Sequence, residues 1–364
     1  MKYILIFFLL INFCFAQNAD SAKYQLSDFF KYNPTVEAKV QEFFEAMNDT
    51  QRVAQMIIPS VGKHGKPTKH VEELVAKQMC GGILLLNGTK EGFKKMVTRF
   101  DSISIANGGL KMIYSADAEP SLIKYKIKGS TKVPTALSHT SSNQVKETAN
   151  IISKDLQYIG IQQNFAPVLD VSAQNKAIGN RSFGDNKDTV IAWSNMFIKE
   201  SQTQNIITTA KHFPGHGQVK GDTHEKLVFI DGNLNEVENY QPIIDGGVVS
   251  IMVAHIAVKN NEKYNTNGLP STLSREIVTD LLKTEMKFTG LVVTDAMNMG
   301  GVASVDKCGL KAVQAGCDML LMPVNEVQDV YDITNEMQLN EVFRDEVYLS
   351  VKKVIRLKIL LGLI

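Results

Sequence analysis

The chain lacks the residues that would force an unusual architecture. Its 364 residues include four cysteines, ten prolines and a single tryptophan, and its charges sum to a formal +1. Charges of both signs are interspersed, which excludes a basic nucleic-acid footprint or a polybasic membrane surface and points to a small or neutral partner. Cys14 lies in an apolar leader, and the remaining Cys80, Cys308 and Cys317 leave room for one disulfide but not for a disulfide scaffold. Trp193 falls in a helical stretch, so no extended tryptophan platform for a polysaccharide is evident. No low-complexity tract divides the chain, and a hydrophobic content of 44% supplies ample material for one large core.

The apolar run from Ile4 to Phe15 is too short to span a bilayer comfortably. Lys2 precedes it and the small Ala16 stands before polar Gln17, so residues 1–16 read as a signal peptide and no membrane span is expected. This implies export to the periplasm or the exterior. Phe13 is bulky where a lipoprotein signal wants a small residue, which weighs against anchoring at Cys14. Residues 17–40 form a mixed extension anchored by Tyr24, Phe29 and Phe30, and residues 41–364 form one domain, expected to act as a monomer.

Within that domain, β-rich apolar runs recur at Ala54–Ile58, Gly82–Leu86, Lys111–Ala116, Gln162–Phe165, Ile206–Lys211, Ser250–Ala254, Leu291–Thr294 and Met319–Met322. The spacers between them carry helical periodicity. In SSNQVKETANIISKDLQYIG, Val145, Ala149, Ile152 and Leu156 mark one face and Gly160 supplies the stop. Eight βα units match a closed α/β barrel of the (β/α)8 TIM type, although an open doubly wound sheet would show the same alternation. The strand ends favour closure. Asp117 and Glu119 come after the third run, Asp170 and Arg181 beyond the fourth, and Lys211 and His212 after the fifth, while His255 ends the sixth and Asp295 follows the seventh. A barrel gathers such residues on its carboxyl-end face.

The most concentrated chemistry lies in KHFPGHGQVKGDTH, Lys211 to His224. Pro214, Gly215 and Gly217 forbid a regular helix, so His212 and His216 do not form the HxxxH face of a zinc helix, and no HExxH glutamate stands between them. No metal or other cofactor is expected. Asp222 and His224 stand two residues apart, a spacing that lets a carboxylate orient an imidazole, with Gly217 and Gly221 as hinges. Asp295, in GLVVTDAMNMGG, follows a buried strand directly; alone, it reads more readily as a helix N-cap or strand-end aspartate. Together with the Asp222/His224 loop it suggests two-step displacement at a saturated carbon, Asp295 attacking and His224 handling the proton.

These residues carry a family resemblance. KHFPGHG, the downstream Asp-x-His, NFAPVLDV, IGNRSFG and VVTDAMNMGGV resemble glycoside hydrolase family 3, specifically its β-N-acetylhexosaminidase branch, in the right order over roughly residues 40–364. The resemblance implies a (β/α)8 barrel and retaining, exo-acting hydrolysis of terminal β-linked N-acetylglucosamine from peptidoglycan- or chitin-derived oligosaccharides. Carried over by motif, it makes Asp295 the nucleophile, His224 the acid/base and Asp222 its orienting partner. Asp117, Arg181, Lys211 and His212 would bind the sugar. His255 resembles a histidine the family keeps near the site, either contacting substrate or buried in the barrel mouth.

The chain also departs from the family. ADAEPSLIKYK places Pro120, Ser121 and Tyr125 where many relatives carry a Gly-Gly pair and an arginine, which bears on sugar preference. The sequence stops at what looks like the barrel's last helix, without the second domain that many members carry. Three other activities fit the same barrel: a phosphorylase, since imidazole does not repel an incoming phosphate dianion, a β-glucosidase, and a non-catalytic sugar-binding protein.

Overall fold

The computed structural model describes residues 24–171, 177–217, 219, 221 and 226–364. Its centre is a ring of parallel strands. β1 comprises Ile57–Ile58 and, past Pro59, Ser60–Val61; it is followed by β2 (Gly82–Leu85), β3 (Ile113–Ala116), β4 (Gln163–Asn164), β5 (Ile207–Phe213), β6 (Ser250–Val253), β7 (Leu291–Thr294) and β8 (Leu320–Leu321). Each pairs in parallel with the next from β1 to β7. Thr294 N donates to Met319 O at 3.1 Å, and Leu320 N donates to Met56 O at 2.8 Å, so β8 joins β7 to β1 and the ring closes. This is the (β/α)8 barrel, not an open sheet.

The strands form where the sequence is apolar without alternation, because both faces are covered. GILL of β2 and LVVT of β7 are buried at every position. The helix Ser142–Ile159 starts on the Ser141 side chain, which accepts from Gln144 N, and stops at Gly160, whose φ of 93° suits glycine. Its buried face includes Val145, Ala149, Ile152 and Leu156. Two expectations shift at their edges. Ala54 closes the helix Asp49–Ala54 rather than opening a strand, and β5 runs on to Phe213, so Lys211 and His212 lie inside the strand and not beyond it.

Ahead of the barrel, the helix Pro34–Glu45 begins with proline at its first turn and Asn33 as its cap, and buries Val36, Val40 and Phe44. Phe44 meets Tyr348 of the last helix, Glu341–Leu360, edge-on at 4.9 Å. Cys80, Cys308 and Cys317 are buried free thiols, and burial pushes Cys80 and Cys317 up to about 12, far from thiolate reactivity. Trp193 lies in the helix Lys187–Gln202 and packs edge-on against Phe183, so it is a packing residue. Among the described residues, no helix is long and apolar enough to cross a membrane.

Candidate active site

Parallel strands point the same way, so residues at their carboxyl ends meet. Asp117 and Glu119 follow β3, Asp170 and Arg181 come from the segment after β4, Lys211 and His212 lie in the last residues of β5, and Asp295 follows β7. The structure joins most of them in one polar network. Lys211 Nζ lies 2.6 Å from Glu119 Oε1 and 3.1 Å from Asp117 Oδ1. Arg181 grips Glu119 with two bonds of 2.8 Å, donates to Ala177 O, and brings one guanidinium nitrogen to 3.4 Å from His212 Nε2. His212 Nδ1 lies 2.6 Å from Asp170 Oδ2, and Asp170 Oδ1 accepts from His216 N at 2.7 Å.

Glu119 and Lys211 are both almost completely buried, a placement that only pairing makes tolerable. Burial works against ionisation of Glu119, but the adjacent Arg181 and Lys211 outweigh it and hold the carboxyl well below its ordinary range. A carboxyl held ionised in this way has no proton to donate. Glu119 is therefore unsuited to general acid catalysis and instead orients the cations beside it. Asp117 has side-chain exposure of 23%, which leaves it able to meet a ligand; Lys126 approaches its other oxygen at 3.8 Å.

Asp295 sits at the edge of this network. Its backbone N–H donates to Val253 O at 2.8 Å, which extends the β6–β7 pairing by one residue, and its carboxylate accepts from Ala296 N at 2.8 Å. Burial pushes the carboxyl upward, but His212, His255, the Ala296 N–H and Lys211 together outweigh it and keep it below its ordinary value. A carboxylate that is ionised, rigidly seated and only lightly hydrogen-bonded has the properties of a nucleophile. His255 stands behind it: the ring is fully buried, with Nδ1 2.8 Å from Thr272 Oγ1 and Nε2 3.0 Å from the carbonyl of Ala296. That arrangement suits positioning of the Asp295 turn better than contact with a ligand.

Asp222 and His224 lie outside the described residues, as does Cys14. The loop leading to them begins in a defined way. His212 and His216 rings stand 6.0 Å apart, and among the described residues no group of three metal-binding side chains converges. At Gly217, expected as a hinge, a Cβ would meet Glu236 Oε1 at 2.5 Å and Val171 N at 2.8 Å, which by itself requires glycine. Sequence reasoning passed over Glu236 and gave Asp170 no specific role. Asp170 lies in NFAPVLDV, where nothing local shows which partner it takes, and Glu236 lies in a loop without a motif of its own; only the PGHG spacing hinted that another group approaches this backbone closely.

A closed barrel with an ionised carboxylate at one strand end, beside a network of charged hydrogen-bonding groups, defines a barrel enzyme suited to polyhydroxylated ligands. The sequence profile described as the glycosyl hydrolase family 3 N-terminal domain matches residues 49–357, and the chain belongs to that family. It is 29% identical over 244 residues to a β-hexosaminidase of Actinobacillus pleuropneumoniae serotype 5b, covering 62% of this chain and 69% of that protein. It is 26% identical over 299 residues to a β-hexosaminidase of Glaesserella parasuis serovar 5, covering 79% and 86%. A family 3 β-N-acetylglucosaminidase structure from Paenibacillus sp. superposes with a TM-score of 0.78 at 26% identity, over 87% of this chain and 63% of that one.

Proposed function

We propose that this protein is a retaining, exo-acting β-N-acetylhexosaminidase that releases terminal β-linked N-acetylglucosamine from oligosaccharides. The observation that carries the reading is Asp295, an ionised carboxylate fixed at the end of β7 beside the Lys211–His212 pair. In the first step a carboxylate oxygen of Asp295 bonds to the anomeric carbon while the bond to the leaving oxygen breaks, and His224 gives that oxygen its proton. In the second, water attacks the same carbon, His224 takes the water's proton, and the ester bond to Asp295 breaks. Asp117, Lys211, His212 and Arg181 supply donors and acceptors for the sugar, and Asp222 orients His224. The β-N-acetylglucosaminidase structure from Paenibacillus sp. supports the choice of N-acetylated sugar, and the two β-hexosaminidase relatives support a hexosaminidase.

The leader of residues 1–16 supports export after cleavage at Ala16, and peptidoglycan or chitin fragments are the substrates such a location would offer. Aryl β-N-acetylglucosaminides with leaving groups of graded acidity test the reading. His224→Ala should slow poor leaving groups far more than nitrophenyl glycosides, and Asp222→Ala should show a weaker version of the same trend. An unchanged slope of rate against leaving-group pKa in His224→Ala removes that residue from the role. Equal rates on aryl glucosides and aryl N-acetylglucosaminides would refute the sugar assignment. A sugar phosphate as product in phosphate buffer would replace hydrolysis with phosphorolysis.

A further inference from the structure

Two segments frame the candidate site from adjacent strands, one following β4 through Asp170 and Val171 and the other formed by the end of β5 from His212 and the residues after it to Gly217. A pair of buried carboxylates ties them together. Asp170, on the first, receives the His212 ring and the His216 N–H of the second. Glu236 belongs to neither segment, yet it bridges both: Oε1 accepts from Val171 N at 2.6 Å and Oε2 accepts from Gly217 N at 2.8 Å.

The support behind Glu236 is firm. Asn239 N donates to the Glu236 carbonyl at 3.1 Å and closes a turn, and next to it the fully buried Tyr240 packs edge-on against Phe213 of β5, with ring centroids 5.0 Å apart. The clasp also fits closely. A Cβ at Gly215 would fall 2.4 Å from the Glu236 Cβ, and one at Gly217 would fall 2.5 Å from its Oε1, so both glycines of PGHG are the space into which this side chain fits. Oε1 and Oε2 thus hold Val171 and Gly217, the residues next in chain after Asp170 and His216, in a fixed relation.

We propose that Glu236 is a positioning residue of the active site, a clasp that fixes the root of the β5 loop against the β4 segment, so that the loop presents its acid/base histidine at the right place. The proposal rests on the acid/base reading of that loop given above. Glu236 touches neither the Asp117–Lys211–Glu119 network nor Asp295 through any described bond, so its loss should spare sugar binding and slow the proton-dependent step. A glutamine in its place keeps the shape but turns an NH2 donor toward one of the two N–H groups, breaking one bond of the clasp.

The test compares Glu236→Gln and Glu236→Ala with wild type on aryl β-N-acetylglucosaminides, with free N-acetylglucosamine as competitive inhibitor and amide hydrogen exchange at Val171 and Gly217. For poor leaving groups kcat should fall about tenfold to a hundredfold, the range expected when a reacting group is displaced by about 1 Å. KM and the inhibition constant for N-acetylglucosamine should stay constant, and exchange at the two amides should accelerate. Gly217→Ala, whose Cβ displaces the carboxylate, should reproduce this split and covers the case in which Glu236→Ala does not fold. Unchanged kcat with unchanged exchange overturns the proposal, as does an inhibition constant that rises in step with the loss of kcat. If His224→Ala leaves the leaving-group slope intact while Glu236→Ala still lowers kcat and frees both amides, the clasp stands and the acid/base reading falls; the opposite pattern removes the clasp alone.

Discussion

The barrel carries a buried carboxylate network at each end, and the two are built differently. At the amino end, Asp318 precedes β8 and meets Lys283 at 3.1 Å, Lys353 at 3.2 Å, Val292 N at 2.7 Å and Ser350 Oγ at 2.7 Å. A single carboxylate is saturated by donors, one of which also donates to the Gly290 carbonyl. At the carboxyl end, Glu119 is saturated in the same way by Arg181 and Lys211, whereas Asp117 and Asp295 are half-buried and make fewer hydrogen bonds among the described residues. A closed ledger of donors and acceptors serves stability. An open one, in the same fold, leaves capacity for a ligand.

That contrast is broken most sharply at Asp295. Asp295→Ala should lower kcat by on the order of a thousandfold or more while the protein keeps its melting temperature, and a fluorosugar that traps glycosyl esters should label the wild type at this residue. Labelling at another carboxylate, or near-normal turnover, would dissolve the distinction between the two ends. Glu119→Gln tests the intermediate case, a saturated carboxylate inside the functional network. It strands two buried cations, so roughly 3 kcal/mol of stability should be lost together with kcat/KM, read by denaturant unfolding and steady-state kinetics. A loss of only one of these would show that Glu119 belongs wholly to one of the two kinds of site.

Asp318→Asn sharpens the comparison from the other side. Burial opposes ionisation of Asp318, but Lys283 and Lys353, with Val292 N and Ser350, outweigh it and depress its carboxyl from an ordinary 3.8 to about 2. Because the folded value is the lower one, its contribution of roughly 2 kcal/mol is fully present above about pH 4 and disappears as the pH falls toward 2. Asp318→Asn should therefore remove about that much stability at neutral pH and flatten the acid limb of the stability curve between those values, with kcat of the folded protein unchanged. An acid limb identical to wild type would remove Asp318 as its source.

The sequence by itself carried the strand count, because apolar runs without alternation and helical spacers ending at glycine, as at Gly160, are local consequences of burial on both faces and of backbone geometry; that the strands close into a ring through β8, and not into an open sheet, was decided by the tertiary structure. It also placed Asp117, Lys211, His212 and Asp295 at or just past strand ends, since the carboxyl end of a parallel strand can be read from where its apolar run stops, and Arg181 beyond the fourth run. Whether such a residue touches ligand or only supports one that does was a tertiary decision. Nothing in ADAEP says that Glu119 is sealed beneath Arg181 and Lys211, and nothing in MVAHIAV says that the His255 ring is spent on Thr272 and Ala296. Glu236 was invisible for the same reason: its partners Val171 and Gly217 offer only backbone N–H groups, which every residue but proline has, so no pattern of side chains marks the place. Pairings among residues distant in sequence are set by how the ring closes, and it is the closed ring that divides one set of carboxylates into a saturated end and an open one.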